Sequence, residues 1–223
     1  MTPKNVLITG TNGMIGNEIL QLCLHSTDVK SIISITRKKI DAVSPKLKQI
    51  IHSDMLHLDG ISDELKNIDV VFYCLGAYTG TVSTEELFKI TVNLTRSFTD
   101  CIVKQNPSVD ISFLSGQGAD NSETSKIPFA KAKGMAENHL LKSGLKNVFL
   151  FRPGYIYPVT KRKEPNAMYR IFRAIYPIVS LIYPNIGLDS KTLAKAMFKA
   201  GLTENGRRIF ENKDIKKYAK EGI

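Results

Sequence analysis

The 223-residue sequence has only three cysteines, Cys23, Cys74 and Cys101, and none stands in a C-x-x-C or other metal-ligand spacing. That argues against a disulfide-stapled secreted scaffold and a zinc module alike. The three fall within apolar-periodic segments and read as buried thiols of a reducing compartment. No apolar leader precedes the first element, because Lys4 and Asn5 run straight into a strand-like stretch, so a secretory signal is not expected and a cytoplasmic location is. Internal repeats and low-complexity tracts are lacking. His25, His52 and His57 lack metal-ligand spacing with carboxylates, and no metal is expected. No uninterrupted run of membrane length occurs: Ile171 to Leu188 comes nearest and is broken by Arg173, Pro177, Pro184 and Asn185. Finally, no tyrosine lies between Tyr78 and Tyr155.

What is present describes an ordinary soluble domain. The composition is 43% hydrophobic and 23% charged, with a formal charge of +10. The length fits one domain and can bury a substantial core. The positive charge reads as a lysine-rich surface. No zinc finger, aromatic RNA-binding pattern or recognition helix accompanies it, so no nucleic-acid partner is expected.

The most informative stretch is Val6 to Gly16, V-L-I-T-G-T-N-G-M-I-G. An apolar run ends at Thr9, glycines follow at 10, 13 and 16, and apolar residues of helical spacing begin with Met14 and Ile15. A strand, a glycine-rich turn and a helix in that order form a phosphate site: backbone N–H groups face the anion and the helix start adds positive potential. Gly10 would permit the tight turn, Gly13 the close approach of a pyrophosphate, and Gly16 the packing of helix on strand. Thr11, Asn12, Met14 and Ile15 complete the candidate cofactor loop.

Strands are expected at Val6–Thr9, Ser31–Thr36, Lys48–Ser53, Asp69–Leu75, Val109–Leu114, Asn147–Phe151 and Arg208–Glu211. Helices are expected at Gly13–His25, Thr84–Gln105 with Ser83 or Thr84 as cap, Phe129–Ser143, Asp189–Gly201 and the lysine-rich C-terminus. Their alternation predicts an α/β, Rossmann-like, doubly wound parallel sheet. The core should span about residues 1–155, with a small C-terminal cap over about 156–223. Within that cap, Asn166–Ile182 is apolar and aromatic and follows the basic loop Lys161-Arg162-Lys163. The apolar stretch Ile171 to Leu188 is read as a lid over a cleft or a dimer face, in preference to a helix lying on a membrane surface.

V-L-I-T-G-T-N-G-M-I-G resembles the T-G-x-x-G-x-x-G loop of short-chain dehydrogenases/reductases. Cys74-Leu75-Gly76-Ala77 resembles the stretch of that family that passes the cofactor. Val92-Asn93 is similar to the V-N of extended, epimerase/dehydratase-like members, and Phe151-Arg152-Pro153-Gly154 to their R-P segment. Leu114 to Asp120, Lys133-Gly134-x-x-Glu137 and Glu211-Asn212-Lys213 resemble an atypical subgroup, the Tat-interacting-protein-like oxidoreductases.

The resemblance implies a dinucleotide cofactor held by the glycine loop, Leu75, Gly76, Ala77, Asn93, Lys133, Pro153 and Gly154. Asp54, with Met55 beside it, would receive the adenine amino group. Arg37 and Lys38 follow the second strand where an acidic residue would select NAD, and cations there suit the 2′-phosphate of NADP(H). The family's Tyr-x-x-x-Lys pair appears as Phe129 and Lys133. A benzyl ring can neither give nor take the catalytic proton, so Ser115 or a relocated tyrosine such as Tyr155 would have to polarise the substrate oxygen. Asn93 would support Lys133 through water. The implied chemistry is hydride transfer with a small carbonyl or alcohol. The alternative is a non-catalytic NADP(H)-binding sensor or scaffold that contacts a protein or membrane through the cap. The two long helices would serve a homodimer.

Overall fold

The computed structural model describes residues 2–77, 80–160, 167–203 and 209–221. Seven strands form one parallel sheet: β1 (Lys4–Thr9), β2 (Val29–Thr36), β3 (Leu47–Ile51), β4 (Val70–Tyr73), β5 (Asp110–Leu114), β6 (Asn147–Arg152) and β9 (Ile209–Glu211), in the order β3-β2-β1-β4-β5-β6-β9. The chain order reverses between β1 and β4. An open parallel sheet binds ligands in the crevice outside the carboxyl ends of its strands at such a switch point.

The strand sequences explain their depth. All four residues of β4, Val70-Val71-Phe72-Tyr73, are buried, as a strand covered on both faces requires. At the edge, β3 carries Lys48 and Gln49 and has no buried residue. One face of the sheet packs against α1 (Met14–His25), α6 (Ser190–Leu202) and α7 (Asn212–Lys220) through Ile19, Phe72, Leu193, Met197 and Ile215. The other face packs against α3 (Leu94–Gln105) and α4 (Pro128–Lys142) through Tyr73, Phe98, Ile102, Phe113 and Leu140.

The segment expected as one long helix is α2 (Thr84–Phe88), a π-helical turn at Lys89–Asn93, and α3. Ser83 caps α2 by accepting the N–H of Glu86. Asp189 caps α6 in the same way through the N–H of Thr192.

The C-terminal third departs most from expectation. Much of it belongs to the sheet domain and not to a cap. α6 lies so close to the sheet that a Cβ at Gly201 would stand 2.7 Å from the ring of Phe72. β9 pairs with β6 and completes the sheet. The protruding part is smaller: β7 (Tyr155–Tyr157) pairs with β8 (Gly187–Asp189), and α5 (Ala167–Ile182) lies between them in sequence. The reason is that α6 presents a wide face of small and apolar residues, which the sheet and its neighbouring helices bury. Lys161-Arg162-Lys163, Arg208 and Tyr78 lie outside the described residues.

Candidate active site

The cleft opens at the carboxyl ends of β1, β4, β5 and β6. Gly13, Met14 and Ile15 form one wall, Leu75, Gly76 and Ala77 another, and Ser115, Phe129, Lys133, Pro153, Gly154 and Tyr155 the remainder. Residues far apart in sequence are brought together because every crossover of a parallel sheet returns to the same edge.

The three loop glycines have separate geometries. Gly10 has φ +73°, and a Cβ on it would lie 2.8 Å from the carbonyl oxygen of Cys74. That position requires glycine for both conformation and space. A Cβ on Gly16 would meet the Gly10 carbonyl oxygen at 2.3 Å, so the first turn of α1 rests directly on the loop. Gly13 is exposed at the helix start, where it is the N-cap residue and supplies no side-chain cap. No acidic residue stands in the first turn of α1. A bare, electropositive helix start facing a cleft fits the diphosphate of a dinucleotide.

The loop is tied to β2. Thr11 and Ser34 share a hydroxyl hydrogen bond of 2.7 Å, and the Asn12 amide donates to the Lys38 carbonyl at 3.1 Å. A second hollow continues from the loop along Asn12, Asn17, Lys39, Ile40 and Asp41. Its lysine is Lys39, whereas Arg37 and Lys38 are exposed just before it and do not border it.

Gly10, Arg37, Lys38, Asp54, Met55 and Asn93 line neither hollow. Met55 is buried in the core. Asp54 is exposed and occupied locally: it accepts from His57 Nδ1 at 2.8 Å and from the Leu56 N–H at 3.1 Å. These bonds hold its carboxyl below the usual range. Asn93 is exposed in the π-helical turn and borders a separate depression with Leu56, Ser83 and Lys89.

Phe129 and Lys133 line the cleft one turn apart on α4. The Phe129 ring lies over Gly116, where a Cβ would be 2.5 Å from its Cζ. Lys133 is buried, donates to the Leu114 carbonyl at 2.8 Å and stands 5.1 Å from the Phe113 ring centre. Burial pulls its ammonium down to about 8, against the opposing pull of Glu137 and then Cys74. Burial likewise pushes the Cys74 thiol up to about 12.

Ser115 is engaged. Its hydroxyl donates to Glu137 Oε1 at 2.5 Å. Glu137 is fully buried and also accepts from Arg152 Nε at 3.0 Å and the Asn121 amide at 3.0 Å. A second Arg152 nitrogen reaches Glu137 Oε2, and the guanidinium also bonds Glu211. Arg152 is thus a structural ion pair that fixes the floor under Ser115. Gly134 lets α4 approach this floor, since a Cβ there would overlap the Asp120 carbonyl at 1.7 Å.

Tyr155 borders the cleft, with its ring against Phe172 and Tyr176 of α5. Tyr157 stacks on Tyr176. Both tyrosines pack β7 against α5 within the protruding element.

The roles of Asn121 and Asn212 were not read from the sequence. Asn212 is buried; it accepts the Gly154 N–H at 2.9 Å and donates to the Asn185 carbonyl at 3.0 Å. It therefore joins the cleft-lining Pro153-Gly154 to the end of the protruding element. The quoted Glu211-Asn212-Lys213 motif was the available signal.

Comparison with known proteins agrees with this geometry. The model of the NAD dependent epimerase/dehydratase family matches residues 6–173. Protein FMP52, mitochondrial, of Candida albicans is 28% identical over 168 residues, covering 74% of this chain and 71% of the relative. A mitochondrial fmp52-2 protein of Aspergillus terreus is 25% identical over 209 residues, covering 90% and 88%. Yeast methylglyoxal/isovaleraldehyde reductase Gre2, solved with NADPH, superposes with a TM-score of 0.70 at 18% identity, covering 93% of this chain and 77% of that one. The Bordetella bronchiseptica enzyme WbmH, solved with NAD+, gives 0.70 at 16%, covering 93% and 75%. The mitochondrial names of the curated relatives overturn the cytoplasmic expectation. A test for a secretory leader does not address mitochondrial import, and free thiols suit either compartment. With its glycine loop, parallel sheet and Lys133 cleft, the chain belongs to the NAD-dependent epimerase/dehydratase family and is an atypical short-chain dehydrogenase/reductase.

Proposed function

We propose that the protein is an NADP(H)-dependent oxidoreductase that interconverts a small apolar carbonyl compound and its alcohol. The observation that carries the reading is the meeting of a bare helix start, Gly13 to Ile15, and a buried ammonium, Lys133, in one cleft. When bound, the nicotinamide supplies the hydride chemistry. The chain's own residues do the rest. Gly10, Thr11, Asn12 and Gly13 hold the diphosphate, and Leu75 to Ala77 with Pro153 and Gly154 bound the nicotinamide half. Arg37, Lys38 and Lys39 support NADP(H) over NAD(H), because three cations follow β2 and no carboxylate precedes Asp41 there.

Ser115 commits its proton to Glu137, so it offers a substrate oxygen lone pairs and no proton. Lys133 fills the vacancy left by Phe129. Its ammonium holds the ribose, stabilises negative charge on the substrate oxygen in a water-poor cleft, and gives that oxygen the proton that completes the alcohol, taking it back in the reverse direction. The remaining walls, Leu114, Phe129, Ile156 and Pro158, are apolar. They favour an aliphatic or aromatic carbonyl over a sugar, which would leave hydroxyls unpaired. The relatives' names support a mitochondrial location.

The test is NADPH consumption with a panel of apolar aldehydes and ketones. Turnover is expected, with a fall of about 10²-fold or more in Lys133→Ala. NADPH binding without turnover of any carbonyl would favour a second reading, which Phe129 supports: a cofactor-binding sensor that signals through its protruding element.

A further inference from the structure

α5 has no buried residue along Ala167–Ile182, although its sequence is mostly apolar. Its two sides differ. Tyr169, Phe172 and Tyr176, spaced three and four apart, turn toward the cleft and the β7 tyrosines. The stripe formed by Ile171, Ile175, Ile178, Leu181 and Ile182 turns outward. Ile178 is 67% exposed, Leu181 82% and Ile182 68%. The helix therefore borders the cleft on one side and leaves a second apolar face open. Adjacent aliphatic side chains on such a face form a contiguous patch of the kind that marks an interaction site.

The charge around this stripe is predominantly positive. Pro165 to Leu188 contains no aspartate or glutamate, although Glu164 and Asp189 flank it; Lys161, Arg162 and Lys163 precede it in sequence and Arg170 lies exposed within it. At the far end Lys216 of α7 donates to the Pro184 carbonyl, which brings the α7 helix alongside. Lys213, Lys217 and Lys220 of that helix are exposed. A second copy of this chain would bring the same cations and the same net charge of +10 against themselves. An anionic lipid surface instead accepts the aliphatic stripe and neutralises the cations around it. No described helix is long and apolar enough to cross a membrane, so the contact is with the surface.

We propose that α5 lies in the interface of an anionic bilayer, with its outward isoleucine–leucine stripe among the acyl chains and Arg170 and the α7 lysines at the headgroups. Tyr169, on the inner side of the same helix, borders the cleft. The mouth of the cleft then opens beside the membrane, where apolar carbonyl compounds concentrate. The surface contact itself does not depend on any catalytic activity.

The experiment is flotation of the full chain with phosphatidylcholine vesicles, with and without phosphatidylserine, at low and high salt. Leu181→Asp/Ile182→Asp is compared with the parent, and sedimentation follows oligomeric state. Both replaced side chains are exposed, and unchanged circular dichroism and melting confirm that the variant folds. The expected result is binding to phosphatidylserine vesicles only, weakened by salt and by more than about tenfold in the variant. Failure of the parent to bind these vesicles at low salt would overturn the proposal. So would equal binding by the variant, or a dimer that the same substitutions dissociate. If α7 contributes as argued, Lys213→Glu/Lys217→Glu/Lys220→Glu also reduces binding, and unchanged binding would remove those lysines from the contact.

Discussion

Ser115 and Glu137 share a 2.5 Å hydrogen bond at the floor of the cleft. Glu137 has no exposure and faces Arg152, so Ser115 is held by a buried ion pair and not by the substrate. Replacing Glu137 with Ala would leave the Arg152 guanidinium without its buried partner and free the Ser115 hydroxyl. The expected cost is about 3–5 kcal/mol of stability by chemical denaturation. Glu137→Gln, which keeps the shape and half of the acceptors, should cost less. Equal stability of Glu137→Ala and the parent would contradict a structural ion pair.

Phe129 and Gly116 are matched. With a Cβ expected 2.5 Å from the ring Cζ, Gly116→Ala must displace the ring into the cleft. The expected effect is about 1–3 kcal/mol of destabilisation together with weaker NADPH binding. Phe129→Ala with Gly116→Ala should recover part of the binding, because the smaller residue at 129 removes the collision.

Lys133 gives a pH signature with a defined sign. Its folded value of about 8 lies below the ordinary 10.5, so folding expels a proton in the window between them. The unfolded chain binds more protons there, and this group's contribution makes stability rise with pH from about 8 toward 10.5. Below 8 both states are protonated and the burial penalty is constant. Denaturation midpoints measured across this window should show the rise in the parent and lose it in Lys133→Met. Turnover, which uses the charged ammonium, should fall as pH climbs through about 8.

Asn212 holds two segments at once. Asn212→Ala removes the acceptor for the Gly154 N–H and the donor to the Asn185 carbonyl, at an expected cost of about 1–3 kcal/mol. Limited proteolysis should then cut the protruding element faster. An unchanged cleavage rate would show that the element is anchored elsewhere.

Local signals carried most of the fold. Val70 to Tyr73 is apolar without interruption and becomes a fully buried strand, and Ser83 and Asp189 cap their helices through the third residue on. β7 and β8 have three residues each and no periodicity to read. The π-helical turn at Lys89–Asn93 lies inside an otherwise continuous helical pattern, and nothing in the periodicity marks it. The same limit applies to the site. Gly10 and Gly16 announce themselves by spacing and Lys133 by the family resemblance, whereas the Ser115–Glu137–Arg152 network joins residues whose roles appear only when β5, α4 and β6 meet. The placement of α6 against Phe72 was hidden for a related reason: an amphipathic helix does not state which surface will bury it.

The most direct test is titration of the full chain with NADPH and with NADH, recording both dissociation constants. The account predicts that both bind and that NADPH binds more tightly, with Arg37→Ala/Lys38→Ala narrowing the difference. Tighter binding of NADH would contradict the role given to the cations after β2, and no binding of either would contradict the account as a whole.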